Sequence, residues 1–191
     1  MPTKMIATAL TLLLLAGCSS SPPARFFSLA PLPPDPGTAS RNVSVGIGPV
    51  VLPTLLDRPQ IVTTVGPHER QFDEYARWAE PLTASVTHVL TENMAVLLST
   101  DSVIALPTLR DIDLDYRIPM SIAEFSVEPG GVAVLSARWG VVDSHGNRRF
   151  TRHTRMTVPS PSGAPEDVAR IMSDLLADLA REITLSLQSQ S

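Results

Sequence analysis

Four histidines, three alternating aspartates, two closely spaced glycines and a run of arginines are the residues of this 191-residue chain whose types suit chemistry. His68, His88, His145 and His153 stand at no metal-ligand spacing, and no Gly-x-Ser-x-Gly turn exposes a nucleophilic serine. His88 lies one residue before an apolar helical position, where a boundary histidine is the plainer reading, because a general base needs a partner within reach. Gly46 and Gly48 invite a nucleotide-binding reading, but the third glycine is absent and no helix follows directly. Pro49 also lacks the N–H that a phosphate would use. Asp111, Asp113 and Asp115 alternate like calcium ligands, yet the loop has neither its glycine nor its closing glutamate at the required spacing. A solvated acidic loop is the expectation. Arg148, Arg149, Arg152, His153 and Arg155 crowd one predicted strand. Such charge guards an exposed sheet edge against aggregation, and it also suits an acidic partner surface or lipid head groups. The residues thus predict no enzyme, no cofactor and no metal.

Cys18 is the single cysteine, so no intramolecular disulfide can form. Upstream stand Lys4, an apolar stretch from Met5 to Leu15, and the small residues Ala16 and Gly17. That layout is a secretion signal, and it falls short of the roughly 20 apolar residues a spanning helix needs. Leu15-Ala16-Gly17-Cys18 resembles the lipobox of bacterial lipoproteins. The resemblance implies cleavage between Gly17 and Cys18 and a diacylglycerol thioether on the cysteine sulfur. Several acyl chains on one residue anchor stably, where one chain alone holds only marginally. In that class an aspartate after the cysteine favours retention in the inner membrane. Ser19 stands there instead, which implies the periplasmic face of the outer membrane.

Loss of residues 1–17 removes Lys4, their only charged side chain, and moves the formal net charge from −4 to −5. A mildly acidic chain suits neither nucleic acid, which selects clustered Lys and Arg, nor electrostatic attachment to anionic lipid. Membrane association would rest on Cys18. A hydrophobic share of 43% rules out a wholly disordered chain. The length suits one domain, residues 41–191, behind a lipidated tether, residues 18–40.

The elements that must position these residues follow from periodicity. Pro22, Pro23, Pro31, Pro33, Pro34 and Pro36 make the tether extended, at about 3.1 Å per residue, long enough to hold a domain several tens of ångströms from a bilayer. Phe26-Phe27-Ser28-Leu29 is too apolar for a spacer; it either docks on the domain as a short strand or binds a partner, and docking is the expectation because two exposed phenylalanines invite aggregation. Strands are predicted at 43–47 and 60–65, with a shorter one at 70–75. A helix opens at Pro81, with Leu82, Val86, Val89, Leu90, Asn93 and Leu97 on its buried stripe. After Val103–Leu106 come runs at 117–128, 131–142 and 148–158, separated by hairpin-type loops, which read as an antiparallel meander. The apolar phase changes between Ile122 and Phe125, the mark of a bulge. A last helix spans 165–187, with Val168, Ile171, Leu175, Leu179 and Ile183 facing the core. The fold class is α+β: a mainly antiparallel sheet with two helices on one face.

Several of these segments together resemble the PqiC family of ABC-type transport auxiliary lipoproteins. They are Phe27-Ser28-Leu29-Ala30-Pro31, Val45-Gly46-Ile47-Gly48-Pro49-Val50 with Leu52-Pro53, and Leu56-Asp57-Arg58-Pro59-Gln60-Ile61-Val62. Arg77-Trp78-Ala79-Glu80-Pro81-Leu82, Phe125 and Ala137-Arg138-Trp139-Gly140 continue the series, and Phe27 stands where the family more often has tyrosine. The resemblance implies an outer-membrane lipoprotein that works with an MCE-domain protein of the inner membrane. The partner supplies a tunnel for lipid, and the lipoprotein forms a homo-oligomeric ring that receives the tunnel tip. A closing head-to-tail ring needs two different matching surfaces, for which Asp111, Asp113 and Asp115 against Arg148, Arg149, Arg152 and Arg155 are the candidates. A regulatory lipoprotein acting on a cell-wall synthesis enzyme is the competing expectation.

Overall fold

The structure, a computed structural model, describes residues 22–34, 42–108 and 112–189. Gly17, Cys18, Ser19 and Asp111 therefore lie outside the described residues. The elements run β1 (Arg25–Phe27), β2 (Val45–Val51), β3 (Gln60–Gly66), β4 (Glu69–Trp78), α1 (Leu82–Leu98), β5 (Val103–Ala105), β6 (Tyr116–Val127), β7 (Gly131–Asp143), β8 (Arg148–Ser160) and α2 (Pro165–Gln188).

The strands divide into two sheets. One is three-stranded, in the order β1-β4-β3; the other is five-stranded, in the order β5-β2-β6-β7-β8. The β6-β7-β8 meander is antiparallel throughout, and its register shifts between Ile122 and Glu124. That bulge lets Ile122 and Phe125 both point inward, each almost fully buried, and accounts for the change of apolar phase. The β3-β4 hairpin is antiparallel as well. Three pairings are parallel, which alternation within single strands does not reveal: β1 with β4, β2 with β5 and β2 with β6.

Both helices lie on one face of the five-stranded sheet and pack against each other. α1 covers β2 and β5, while α2 covers β7 and β8 and reaches β1. The inward side chains of the sheet, among them Ile47, Ile118, Leu135, Trp139 and Val141, meet Val86, Met94, Leu175 and Leu179 in one contiguous core. Ile61, Ala76 and Trp78 of the smaller sheet belong to that core too. All five predicted stripe positions of α2 are buried; on α1 the stripe ends on Met94 and Leu98 rather than on Leu97.

Phe27 and its neighbours are part of the fold. β1 pairs with β4 from Arg25↔Ala76 to Phe27↔Trp78, and the Ala79 N–H donates to the Phe27 carbonyl at 2.8 Å. Leu29 is buried in the core. Beyond it, the Ala30 N–H donates to Ser173 Oγ at 3.0 Å, and the Leu32 N–H donates to Asn93 Oδ1 at 2.6 Å. Side chains from both helices thus supply the acceptors that a lone segment lacks.

The parallel pairs around β2 have a steric consequence. β5 and β6 flank β2 and run the same way, and the described parts of the return segment between them, residues 106–108 and 112–115, meet the outer face of β2. Leu106 and Leu114 of that segment lie on Gly46: a Cβ there would come within 2.7 Å of both side chains. At Gly48 φ is +121°, and a Cβ would sit 2.6 Å from the Leu106 carbonyl oxygen. The two glycines make room for a crossing segment rather than for a phosphate.

Candidate functional site

On the outer face of the five-stranded sheet, the return segment overhangs a cavity of about 460 Å³. Pro49, Leu106, Pro107, Leu114 and Pro119 wall it, with Arg117 in the lining. A second hollow of about 330 Å³ adjoins it through Pro49, Pro119 and Val142 and runs toward β8, where Arg138 and Arg148 line it. Gly140 keeps its floor low, because β8 passes so close that a Cβ would be 3.0 Å from the Phe150 carbonyl oxygen. The two hollows form one trough, apolar at the return segment and cationic toward β8.

The sequence-predicted residues fall into distinct settings. β8 is an edge strand, as its charge pattern suggested. Arg155 Nη1 meets Glu124 Oε2 at 2.7 Å, Arg149 Nε stands 3.9 Å from Asp143 Oδ2, and Arg152 lies over the Phe150 ring at 5.4 Å. Arg148 opens into the second hollow. Asp115 accepts from the N–H and the hydroxyl of Ser44, both at 2.8 Å, which ties the approach to β2 to the start of β6. Asp113 is exposed. Asp113 and Asp115 immediately precede the central strand β6, which β7 separates from the arginine-bearing edge strand β8.

No group of three His, Cys, Asp or Glu side chains suited to a metal gathers among the described residues. His153 Nε2 lies 3.0 Å from Ser136 Oγ on the outer face, and His68 and His88 are exposed. Three carboxylates, the exposed Glu166 and the half-buried Asp143 and Asp167, are held below their ordinary range. The Asn147 backbone N–H holds Asp143 down, with further help from the His145 N–H and Arg149. The Arg25 side chain holds Glu166 down, and the Ser162 hydroxyl followed by Arg170 does the same for Asp167.

Other motif residues are structural. The Trp139 indole N–H donates to Thr154 Oγ1 at 3.0 Å, and the Thr154 hydroxyl donates to Glu182 Oε1 at 2.6 Å. Phe150 meets the Trp139 ring edge-on at 5.8 Å. Asp57 Oδ1 accepts the Thr83 N–H at 3.3 Å at the start of α1, a cap that Pro81 cannot provide. Arg58 stacks on Phe72 at 4.3 Å. The trough itself was not visible in the sequence; its one local signal was the unexplained spacing of Gly46 and Gly48.

A family model described as "ABC-type transport auxiliary lipoprotein component" matches residues 27–184. The chain belongs to this family. Auxiliary lipoproteins of this kind form a transport family rather than an enzyme family, and the PqiC-like resemblance of the motifs stands. The fold is similar to that of an uncharacterized protein solved by crystallography, with a TM-score of 0.72 at 14% identity over 87% of this chain and 99% of that one. It is also similar to a solved protein from Xanthomonas campestris, with a TM-score of 0.68 at 18% identity over 88% and 100% of the two chains. A PelC dodecamer from Paraburkholderia phytofirmans is a slighter likeness, with a TM-score of 0.46 at 13% identity over 73% and 86% of the two chains. No curated protein matches the sequence. None of the described helices is long and apolar enough to cross a membrane.

Proposed function

We propose that this auxiliary lipoprotein is the outer-membrane subunit of an MCE-type intermembrane lipid transport system. Anchored through a lipidated Cys18, it holds the end of the partner's tunnel at the membrane as one member of a homo-oligomeric ring. Its work is binding and positioning, without bond-making, cofactor, metal or nucleic acid. The observation that carries this reading is the family match over residues 27–184 behind the Leu15-Ala16-Gly17-Cys18 motif. The sheet order supports the ring: the arginine-rich β8 is an edge strand, and the segment bearing Asp113 and Asp115 leads into the central β6, so the two candidate surfaces are distinct, as a head-to-tail contact requires. Arg155 is held close to Glu124 and Asp115 to Ser44, whereas Arg149 has only a looser contact with Asp143, at 3.9 Å, and Arg152 rests on the Phe150 ring; these two, with Arg148 and Asp113, are the residues proposed to carry a contact, with Asp111 beside Asp113 in sequence.

Co-purification of the lipidated chain tests the assignment. An MCE-domain protein is expected to accompany it, and capture of a peptidoglycan synthase in its place would reject the transport role. Arg149→Glu with Arg152→Glu is expected to lower both the native mass and the recovery of the MCE protein. Unchanged mass and recovery would remove β8 from the interface, and a strict monomer in the parent chain would remove the ring.

A further inference from the structure

We propose that the trough on the outer face of the five-stranded sheet binds a single-chain lipid anion, its aliphatic chain beneath the return segment and its oxyanion among Arg117, Arg138 and Arg148. The inference concerns what one copy of this chain binds; Arg148 alone is shared with the proposed ring contact, and the test is read at Arg117 and Arg138.

The distribution of arginine partners carries it. Arg25, Arg77, Arg149, Arg155, Arg170 and Arg181 each face a carboxylate. Arg58 and Arg152 lie on phenylalanine rings, and Arg70 donates to the carbonyls of Gly66 and Glu69. Arg117, Arg138 and Arg148 are the described arginines left without such a partner, and all three line the same trough. Among the described residues no Asp or Glu lines either hollow, and the nearby Asp115 is tied to Ser44. A guanidinium presents a planar fork of donors that matches a carboxylate or phosphate.

The other end of the trough selects what is attached to that oxyanion. Pro49, Pro107 and Pro119 have no N–H, and Leu106 and Leu114 add only carbon, so these walls hold water poorly. The volume of about 460 Å³ lies within the roughly 300–1,000 Å³ typical of ligand sites and suits one aliphatic chain. A peptide strand fits less well. It would seek the free backbone groups of a sheet edge, whereas the trough lies on a face whose backbone groups are already paired in the ladder.

The chain from residue 18 onward, carrying Cys18→Ser, keeps every described residue and suits calorimetry without detergent. Palmitate, lysophosphatidic acid and the neutral monopalmitoylglycerol are titrated below their micelle concentrations. At least one of the two anions is expected to bind at one site per chain, about tenfold or more tighter than the neutral ester, as a charge-assisted pair implies. Whichever anion binds tighter identifies the oxyanion as carboxylate or phosphate. Arg117→Glu and Arg138→Glu, both at exposed side chains, are each expected to weaken binding about tenfold or more while the urea midpoint stays at the parent value. Absence of saturable binding by either anion would overturn the proposal. So would equal affinity for the neutral ester, indifference of both arginine variants, or binding of a glutamate-rich decapeptide where neither lipid anion binds.

Discussion

Thr154 stands between two groups that need it: it accepts the buried Trp139 indole N–H and donates to Glu182. Thr154→Val keeps the shape and removes both bonds, leaving a buried donor unsatisfied. The expected loss is about 1–3 kcal/mol, read as a lower urea midpoint with an unchanged slope. Asp143, Glu166 and Asp167 act at the same scale through their titration. Each carboxyl is depressed in the folded chain, so its contribution is complete above the unfolded values, 3.8 for aspartate and 4.5 for glutamate. That contribution disappears as the pH falls through the lower folded values. The melting temperature is therefore expected to hold between about pH 7 and 5 and to fall below about pH 4.5, with a shallower acid decline in Glu166→Gln. Single residues were only partly legible in the sequence. Asn93 showed itself as the lone polar side chain on an apolar helical stripe, but its bond to Leu32 joins residues 61 apart, a distance no periodicity spans.

Among the elements, β1 is the smallest and the most informative. Phe26 is 66% exposed while Leu29 is 6% exposed, so the segment inserts a leucine and leaves a phenylalanine on the surface. Leu29→Ala is expected to cost about 2–5 kcal/mol by opening a cavity, whereas Phe26→Ala should stay within about 0.5 kcal/mol. Chemical denaturation of the two variants checks both, and a large loss from Phe26→Ala would show that the exposed ring is covered in the assembly. Elements whose own residues specify them were legible: the meander, its bulge, the hairpin loops and the faces of both helices. Partner choice between distant strands was not. β2 reads as an ordinary alternating strand, and nothing within it says that both neighbours run parallel or that a loop returns over its glycines. The trough was hidden for that reason, since it exists only where the return segment, β6 and β7 come together.

At the scale of the whole molecule, the docked β1 changes what the proline-rich stretch can do. A tether of residues 18–40 would carry the domain far from the lipid, but the folded chain already begins at Arg25, beside Glu166 at the start of α2. Seven residue steps separate Cys18 from Arg25, and at full extension they reach at most about 25 Å. The 24 residues of α2 span about 36 Å, more than that slack. A fluorophore on Ala164→Cys is thus expected to be quenched by head-group-labelled lipid more strongly than one on Gln188→Cys, and equal quenching would contradict a short mooring at β1. A body on so short a mooring can pivot but cannot roam. With Cys18 lipidated as proposed, it would search a thin shell of solvent against its own bilayer, and anything meeting it would have to do the travelling. The length of the bridge between two membranes would then be set by the partner alone, with this chain fixing only where that bridge lands.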